Sequence, residues 1–265
     1  MVRLLKVERL SKSFGGLAAV RDLSFRAGEG RIVSIIGPNG AGKTTVFNLL
    51  TGIYAPDQGK IELDGRDITG LKPTEMVGVG ICRTFQNIRL FKQMTVMQNV
   101  LVGYQSKIRY GLLDAVFSTP RKRREDARAI ECADRALEEC GLLEYRDARA
   151  DALPYGKQRK LEIARAIVSR PRLLFLDEPA AGLNIQETTE LSQFVVQLSR
   201  TGIDIVLIEH DMRMVMKISD YIYVLNHGEL IAEGKPAEVQ RNEEVIQAYI
   251  GRKGGVHHAL EGRGR

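Results

Sequence analysis

The segment with the most chemical content is a glycine-rich run that fits the pattern G-x-x-x-x-G-K-[ST], namely Gly37-Pro38-Asn39-Gly40-Ala41-Gly42-Lys43-Thr44-Thr45. Its glycines let the main chain approach a ligand closely, so that successive N–H groups can surround an anion. Lys43 can reach the β- and γ-phosphates of a nucleotide, and the Thr44 hydroxyl can coordinate Mg2+. The segment therefore predicts binding of a nucleoside triphosphate.

Apolar stretches that predict buried strands precede this loop and three other groups of polar residues. A β-branched stretch over residues 31–36 leads into the loop, and a helical pattern begins at Val46, which is the order that a phosphate-binding loop requires. Similar stretches end at Asp177 and Glu178 and at His210, and the apolar stretch 81–85 precedes Gln86. These patterns predict a buried core of parallel strands.

The residues after these strands are candidates for the chemistry of phosphoryl transfer. Asp177 would hold Mg2+, and Glu178 would orient or deprotonate the attacking water. Gln86 could sense Mg2+ and the γ-phosphate without adding charge, and His210 could touch the γ-phosphate. Taken one at a time, the acidic pair could instead cap the following helix, Gln86 could be a surface residue, and His210 could have a structural role.

Together with Leu153-Pro154-Tyr155-Gly156-Lys157-Gln158, these residues resemble the ATP-binding cassette (ABC) family, from about residue 4 to 250. In the family's terms, residues 37–45 resemble the Walker A loop, Gln86 the Q-loop and residues 153–158 the signature motif. Asp177 and Glu178 resemble Walker B with the catalytic glutamate. Ala181-Gly182-Leu183-Asn184 resembles the D-loop and His210 the switch histidine, while Phe14 occupies the place of an aromatic ring that stacks on adenine.

The resemblance implies a role for each matched residue. Glu178, His210 and Lys43 would be catalytic, and Mg2+ would be held by Thr44, Gln86 and Asp177. ATP would be bound by Phe14, Gly37, Pro38, Asn39, Gly40, Ala41, Gly42, Lys43, Thr44, Thr45 and Gln86, whereas Leu153, Pro154, Tyr155, Gly156, Lys157 and Gln158 would serve the ATP of a second cassette.

The signature and D-loop segments depart from the family's usual motifs. Pro154 replaces the serine of L-S-G-G-Q, and Tyr155 replaces its first glycine, so the hydroxyl that would contact the second cassette's γ-phosphate is missing. Gly156 remains, and its N–H at a helix N-terminus could still bind phosphate. Asn184 stands where aspartate is usual. Whether both composite ATP sites of a cassette pair hydrolyse therefore stays open.

Several longer runs resemble the LivG-type ATP-binding subunits of branched-chain amino acid importers. They cover residues 83–91, 161–166, 177–184 and 208–212. This resemblance implies an ATP-hydrolysing subunit that drives uptake of leucine, isoleucine or valine. Open alternatives are another transporter, for urea or amides or for lipid or lipopolysaccharide, and a soluble cassette ATPase that acts on nucleic acid or ribosomes. Neither the tandem cassettes nor the long coiled-coil insertions typical of that last class occur in the sequence.

The same resemblance implies the cofactors, partners and location. ATP and Mg2+ would be bound. The partners would be a second cassette, different or identical, two transmembrane permease subunits and, indirectly, an external solute-binding protein, with no nucleic acid. The chain would lie peripherally on the cytoplasmic face of the membrane. No apolar stretch approaches the ~20 residues that span a bilayer, and the charged residues near the N-terminus argue against a secretory signal.

The composition, with 44% hydrophobic and 27% charged residues, a net charge of +6 and 3 cysteines, is that of a globular protein with reduced thiols. We expect an α/β fold with a P-loop NTPase core, an antiparallel N-terminal part and an inserted helical subdomain. Residues 1–251 would form one nucleotide-binding domain. Its core would cover 1–90 and 160–235, the helical subdomain about 90–160 and a C-terminal helix 236–250, followed by a disordered tail at 252–265.

Overall fold

The computed structural model describes residues 4–111, 114, 117 and 119–250. In chain order, the strands are β1 (Leu4–Phe14), β2 (Leu17–Gly28), β3 (Ile32–Ile36), β4 (Gln58–Leu63), β5 (Arg66–Asp67), β6 (Ile81–Arg83), β7 (Leu173–Asp177), β8 (Asp204–Ile208), β9 (Tyr221–Asn226) and β10 (Glu229–Gly234). The helices are α1 (Lys43–Leu50), α2 (Pro73–Val79), α3 (Val96–Tyr104), α4 (Pro120–Glu139), α5 (Tyr155–Ile167), α6 (Ile185–Arg200), α7 (Met212–Ile218), α8 (Pro236–Val239) and α9 (Glu243–Ile250).

The chain forms two compact units, Met1–Pro73 with Asp204–Arg265, and Thr74–Ile203. The first unit contains an antiparallel sheet in the order β2-β1-β4-β5. It also contains the strands β10-β9-β3-β8, in which β3 is parallel to both β8 and β9. Every residue of β3 and β8 is buried. Burial on both faces explains why these strands are continuous apolar runs.

The C-terminal part of the first unit differs from the single helix predicted over residues 236–250. The structure has two helices there, because Asn242 Oδ1 accepts hydrogen bonds from the N–H groups of Glu244 and Val245 and starts α9. Val239 and Val245 both pack into one apolar cluster with Ile36. In a continuous helix two residues six positions apart would lie on different faces, so the interruption allows both valines to be buried together.

The second unit combines the parallel pair β6–β7 with helices that pack on one another. Thr95 caps α3 in a capping box with Gln98. Helices α3 and α5 approach closely at Gly103, where a Cβ atom would lie 2.0 Å from the carbonyl oxygen of Arg165. Glycine is therefore required at this crossing for steric reasons.

The α/β fold class predicted from the sequence is confirmed, including the antiparallel N-terminal strands. Within the described ranges, no helix combines the length and apolar character needed to span a bilayer. The tail at 252–265, predicted to be disordered, lies outside the described residues.

Candidate nucleotide-binding and hydrolysis site

The phosphate loop of the first unit connects β3 to α1. A Cβ atom on Gly37 would lie 2.1 Å from the Leu225 carbonyl oxygen, and one on Gly42 would lie 2.5 Å from that of Ala19. Gly42 also has φ 97°, a left-handed conformation that glycine adopts without strain. The sequence needs glycine at these two positions because backbone packs directly on backbone.

The start of α1 suits an anionic ligand. Its N-cap residue is Gly42, so in the described structure no side chain caps the helix, and its first turn contains no acidic residue. The buried Lys43 donates from Nζ to the carbonyl oxygens of Gly37, at 2.7 Å, and Pro38, at 3.1 Å. An uncapped helix N-terminus and a lysine held inside the loop form a fitting cradle for phosphate groups.

His210 lies at the same edge of the first unit's parallel strands as the phosphate loop. Ile35 of β3 pairs with Ile208 of β8, so the loop and His210 both follow immediately beyond the paired residues. The His210 side chain is 59% exposed, with Nδ1 3.8 Å from Oε2 of the fully buried Glu209. The Glu209 carboxylate also accepts a hydrogen bond from the His210 N–H at 3.0 Å, which fixes the backbone that carries the histidine.

Phe14, the predicted adenine-stacking residue, ends β1 with its ring 42% exposed. Tyr54 meets it edge to face, with ring centroids 5.2 Å apart, and the Lys12 ammonium lies 5.6 Å from the Phe14 ring centroid. Phe14 therefore presents an accessible aromatic surface that a neighbouring ring supports. Tyr54 has no distinctive sequence signal and was missed by the sequence analysis.

Asp177, in the second unit, is a buried carboxylate at the end of β7. Its Oδ2 accepts a hydrogen bond from Arg83 Nη2 at 3.3 Å. Burial raises the pKa of Asp177 to about 6, although the Arg83 cation acts in the opposite direction. A bound cation would favour the charged form of the Asp177 carboxylate, as Arg83 does, so the site is compatible with Mg2+.

Glu178 follows Asp177 and forms a hydrogen bond with Gln86. Gln86 Nε2 donates to Glu178 Oε2 at 2.9 Å, although the two residues are 92 positions apart. Glu178 has φ 43°, in the left-handed region. For a residue other than glycine this conformation costs roughly 1–2 kcal/mol, and such strain is often found at functional sites.

The segment that resembles the signature motif forms the start of α5. Pro154 is the N-cap residue, and no side chain caps this helix in the described structure. Gly156 lies so close to Glu187 that a Cβ atom on Gly156 would be 3.1 Å from the Oε1 atom of Glu187. Gln158 Nε2 donates to the Leu153 carbonyl at 2.8 Å, whereas the Lys157 ammonium lies 3.7 Å from the Tyr145 ring centroid. No N-cap side chain occupies the first-turn N–H groups of α5, and the Glu187 carboxylate lies beside Gly156.

The predicted Mg2+ ligands are a hydroxyl (Thr44), an amide (Gln86) and a carboxylate (Asp177). All three offer the hard oxygen atoms that Mg2+ prefers. Thr44 belongs to the first unit, and the other two belong to the second. The sequence analysis missed Arg83, Arg159 and Glu162, which contact the Asp177 and Gln86 segments.

A glycine loop between a buried parallel strand and a helix, with an acidic pair at the end of another strand, defines a P-loop ATPase. This chain belongs to the ABC transporter family, whose model matches residues 20–181. A second model, described as the branched-chain amino acid ATP-binding cassette transporter, matches residues 229–254. The predicted membership of the family is confirmed, and the chain is an ATP-hydrolysing transporter subunit.

Individual relatives extend over nearly the whole chain. The high-affinity branched-chain amino acid transport ATP-binding protein BraF of Pseudomonas aeruginosa is 48% identical, over 94% of this chain and 98% of the relative. The corresponding protein LivG of Salmonella typhimurium is 49% identical over the same shares. A crystal structure of an ABC transporter cassette in its ADP conformation is similar with a TM-score of 0.82 and 31% identity, covering 95% of this chain and 100% of that one.

Proposed function

We propose that this chain couples ATP hydrolysis to the uptake of leucine, isoleucine or valine. The observation that carries the substrate assignment is the similarity to BraF and LivG, which spans 94% of the chain, together with the separate C-terminal match at residues 229–254. The chain would act at the cytoplasmic face of the membrane with two permease subunits and a second cassette, supplied with substrate by an external binding protein.

The first unit supplies nucleotide binding in this proposal. The glycine loop, the N-terminus of α1 and Lys43 bind the phosphates, and Phe14 stacks on the adenine. His210 contacts the γ-phosphate. Within this unit, Thr44 would offer its hydroxyl oxygen to Mg2+, which when bound offsets the negative charge of the phosphates.

The second unit supplies the hydrolytic chemistry. Glu178 takes a proton from water as the water oxygen bonds to the γ-phosphorus and the bond to the ADP oxygen breaks. The Gln86 amide supports this role because it already holds the Glu178 carboxylate, at 2.9 Å. The uncapped first turn of α5, with Gly156, would bind the γ-phosphate of the ATP held by the second cassette.

A groove between α3 and α4 supports contact with a permease. It has a volume of about 460 Å³, and its apolar lining consists of Met94, Leu101, Val102, Ile108, Ala129 and Ile130. Phe91 and Ile130, which are 47% and 43% exposed, add apolar surface in this part of the second unit. A short amphipathic helix of a permease subunit would bury these side chains and present polar groups to Gln98 and Asp126.

The test of the proposed function is complementation of a strain that lacks this chain. Wild-type protein should restore energised uptake of labelled leucine, isoleucine or valine. Glu178→Gln should fail, because loss of a general base lowers the rate about 10²- to 10⁴-fold. Glu243→Gln, the same change at an exposed position of α9, is the matched control and should restore uptake.

Uptake of urea or short amides and the export of lipopolysaccharide are measured in the same strains. Normal branched-chain amino acid uptake in the deletion strain, with loss of one of these other activities, would overturn the substrate assignment. Full uptake with Glu178→Gln would instead overturn the role of Glu178.

A further inference from the structure

Arg159 of α5 has an unusual environment for an arginine, because its side chain is 0% exposed. It lies one helical turn after Gly156, in the helix that begins at the signature segment. A buried guanidinium is strongly unfavourable unless its N–H groups are paired. The partners of Arg159 should therefore indicate why an arginine occupies this position.

The Arg159 side chain holds the backbone of the Q-loop. Its Nη2 donates to the Gln86 carbonyl oxygen at 2.9 Å, and Nη1 donates to the Phe85 carbonyl oxygen at 3.0 Å. Nη1 also donates to Oε2 of Glu162 at 3.0 Å. The Arg159 Nε atom is buried and has no hydrogen-bond partner among the described residues.

Glu162 completes the clamp from the same helix. Its side chain is 1% exposed, and Oε1 accepts hydrogen bonds from the N–H groups of Phe85, at 3.4 Å, and Arg89, at 3.5 Å. Arg159 and Glu162 thus bind the Q-loop backbone through carbonyl and N–H groups together. A displacement of α5 must move this backbone or break several charge-assisted hydrogen bonds.

The Q-loop backbone in turn carries the Gln86 side chain, which donates to Glu178. A continuous set of hydrogen bonds therefore leads from the helix that starts at Gly156, through Arg159 and Gln86, to Glu178. The planar guanidinium reaches two carbonyl groups and a carboxylate at once, a geometry that a lysine ammonium cannot reproduce.

We propose that Arg159 is a positioning residue that couples the signature segment's contact with the second cassette's ATP to the orientation of Glu178 in its own chain. The two ATP sites of a cassette pair would then hydrolyse cooperatively. This inference rests on the proposed function, which supplies the second cassette. Nucleotide bound by the partner fixes the start of α5, and the Arg159 hydrogen bonds transmit that arrangement to Gln86 and Glu178.

The test uses the full chain in complex with the membrane subunits that co-purify with it. Rates of phosphate release are measured against ATP concentration for wild type, Arg159→Lys and Arg165→Lys. Arg165 is the matched control, because it lies on the same helix, has its Nη2 4.0 Å from Glu162 Oε1, and contacts the carbonyl of Arg89 but not that of Gln86. Arg159→Lys should lower kcat about 100-fold, the effect of misplacing a catalytic group by about 1 Å, and reduce the Hill coefficient to about 1.

Binding of a fluorescent ATP analogue to the chain's own phosphate loop should be nearly unchanged in Arg159→Lys, because Phe14, the loop and Lys43, which supply most of that proposed binding, are in the other unit. Combining Arg159→Lys with Glu178→Gln should lower kcat no further than Glu178→Gln does alone, since both changes act through one group. Glu162→Gln serves as a second variant if Arg159→Lys does not fold, because it removes a charge from the same clamp. It should show the same loss of cooperativity with a smaller loss of kcat.

Normal kcat and cooperativity in Arg159→Lys, or equal losses in Arg165→Lys, would overturn the coupling role. A further, independent loss of kcat in the double variant would also overturn it. Non-cooperative ATP hydrolysis by the wild-type complex would overturn it as well. Failure of the proposed function is recognised separately in the uptake assay, because the complex would then hydrolyse ATP without restoring branched-chain amino acid uptake.

Discussion

Tyr155 and Asn184, which depart from the family's usual motifs, both have local roles in the second unit. The Tyr155 hydroxyl donates to the Ala181 carbonyl oxygen at 3.3 Å, and its ring lies where a Cβ atom on Gly182 would be 3.2 Å away. Asn184 is the N-cap of α6 and forms a capping box with Glu187. The tyrosine therefore links the signature segment to the D-loop, and asparagine satisfies the helix start without a charge.

At the residue scale, Phe14→Ala should weaken ATP binding about 5- to 150-fold, because stacking of a base on an aromatic ring contributes roughly 1–3 kcal/mol. Phe14→Trp should retain most of the affinity. The control is Phe117→Ala, the same truncation at a ring that is 73% exposed in the second unit. Equilibrium binding of a fluorescent ATP analogue measures these differences. An unchanged affinity in Phe14→Ala would show that the adenine does not stack on this residue.

At the level of secondary structure, the two glycines of α2 and α3 differ in their surroundings. Gly103 in α3 has no room for a Cβ atom, because one would lie 2.0 Å from the Arg165 carbonyl oxygen. Gly78 in α2 has no heavy atom within 4 Å of the corresponding position. The crossing of α3 and α5 therefore depends on glycine, whereas α2 does not.

Gly103→Ala should lower the free energy of unfolding by about 1–3 kcal/mol, the usual effect of overpacking a tight contact. Gly78→Ala is the matched control and should raise it by about 0.5–1 kcal/mol, because alanine favours a helix more than glycine does. Urea denaturation followed by circular dichroism compares the two variants. Equal effects of both substitutions would mean that the α3–α5 approach is looser than the structure indicates.

On the scale of the whole molecule, the two units carry different parts of the proposed chemistry. The first contains Phe14, the phosphate loop and His210, and the second contains Gln86, Asp177, Glu178 and the signature segment. Under the proposed function, the signature segment serves another cassette's ATP. A single chain therefore lacks some of the residues that are needed to hydrolyse the ATP it binds.

A verified monomer should therefore bind ATP but hydrolyse it slowly. Turnover per chain should rise with protein concentration or on addition of the membrane subunits and a second cassette. Glu178→Gln should retain ATP and accumulate as a cassette pair, whereas Lys43→Ala should bind ATP weakly and remain monomeric. Phosphate release and sedimentation velocity at matched concentrations test this. A monomer as active as the assembled complex would contradict the split-site arrangement.

The sequence by itself determined the features that depend on neighbouring residues. Short patterns of residue size, polarity and backbone preference are enough to predict the phosphate loop and the strands before it and before Asp177. They also account for the capping of α3 by Thr95. The family resemblance extended these patterns to positions such as Gln86 and His210, whose individual sequence signals are weak.

Only the tertiary structure decided the contacts between distant segments. Arg159 lies among other basic residues and looks like part of a solvated helix face, yet it is buried against Gln86, 73 positions away. The separation of α8 from α9 likewise depends on the apolar cluster that receives Val239 and Val245. The sequence gives the type of each residue but not whether its side chain is hydrated or buried. The free energy of such a contact therefore depends on how the helices and strands pack.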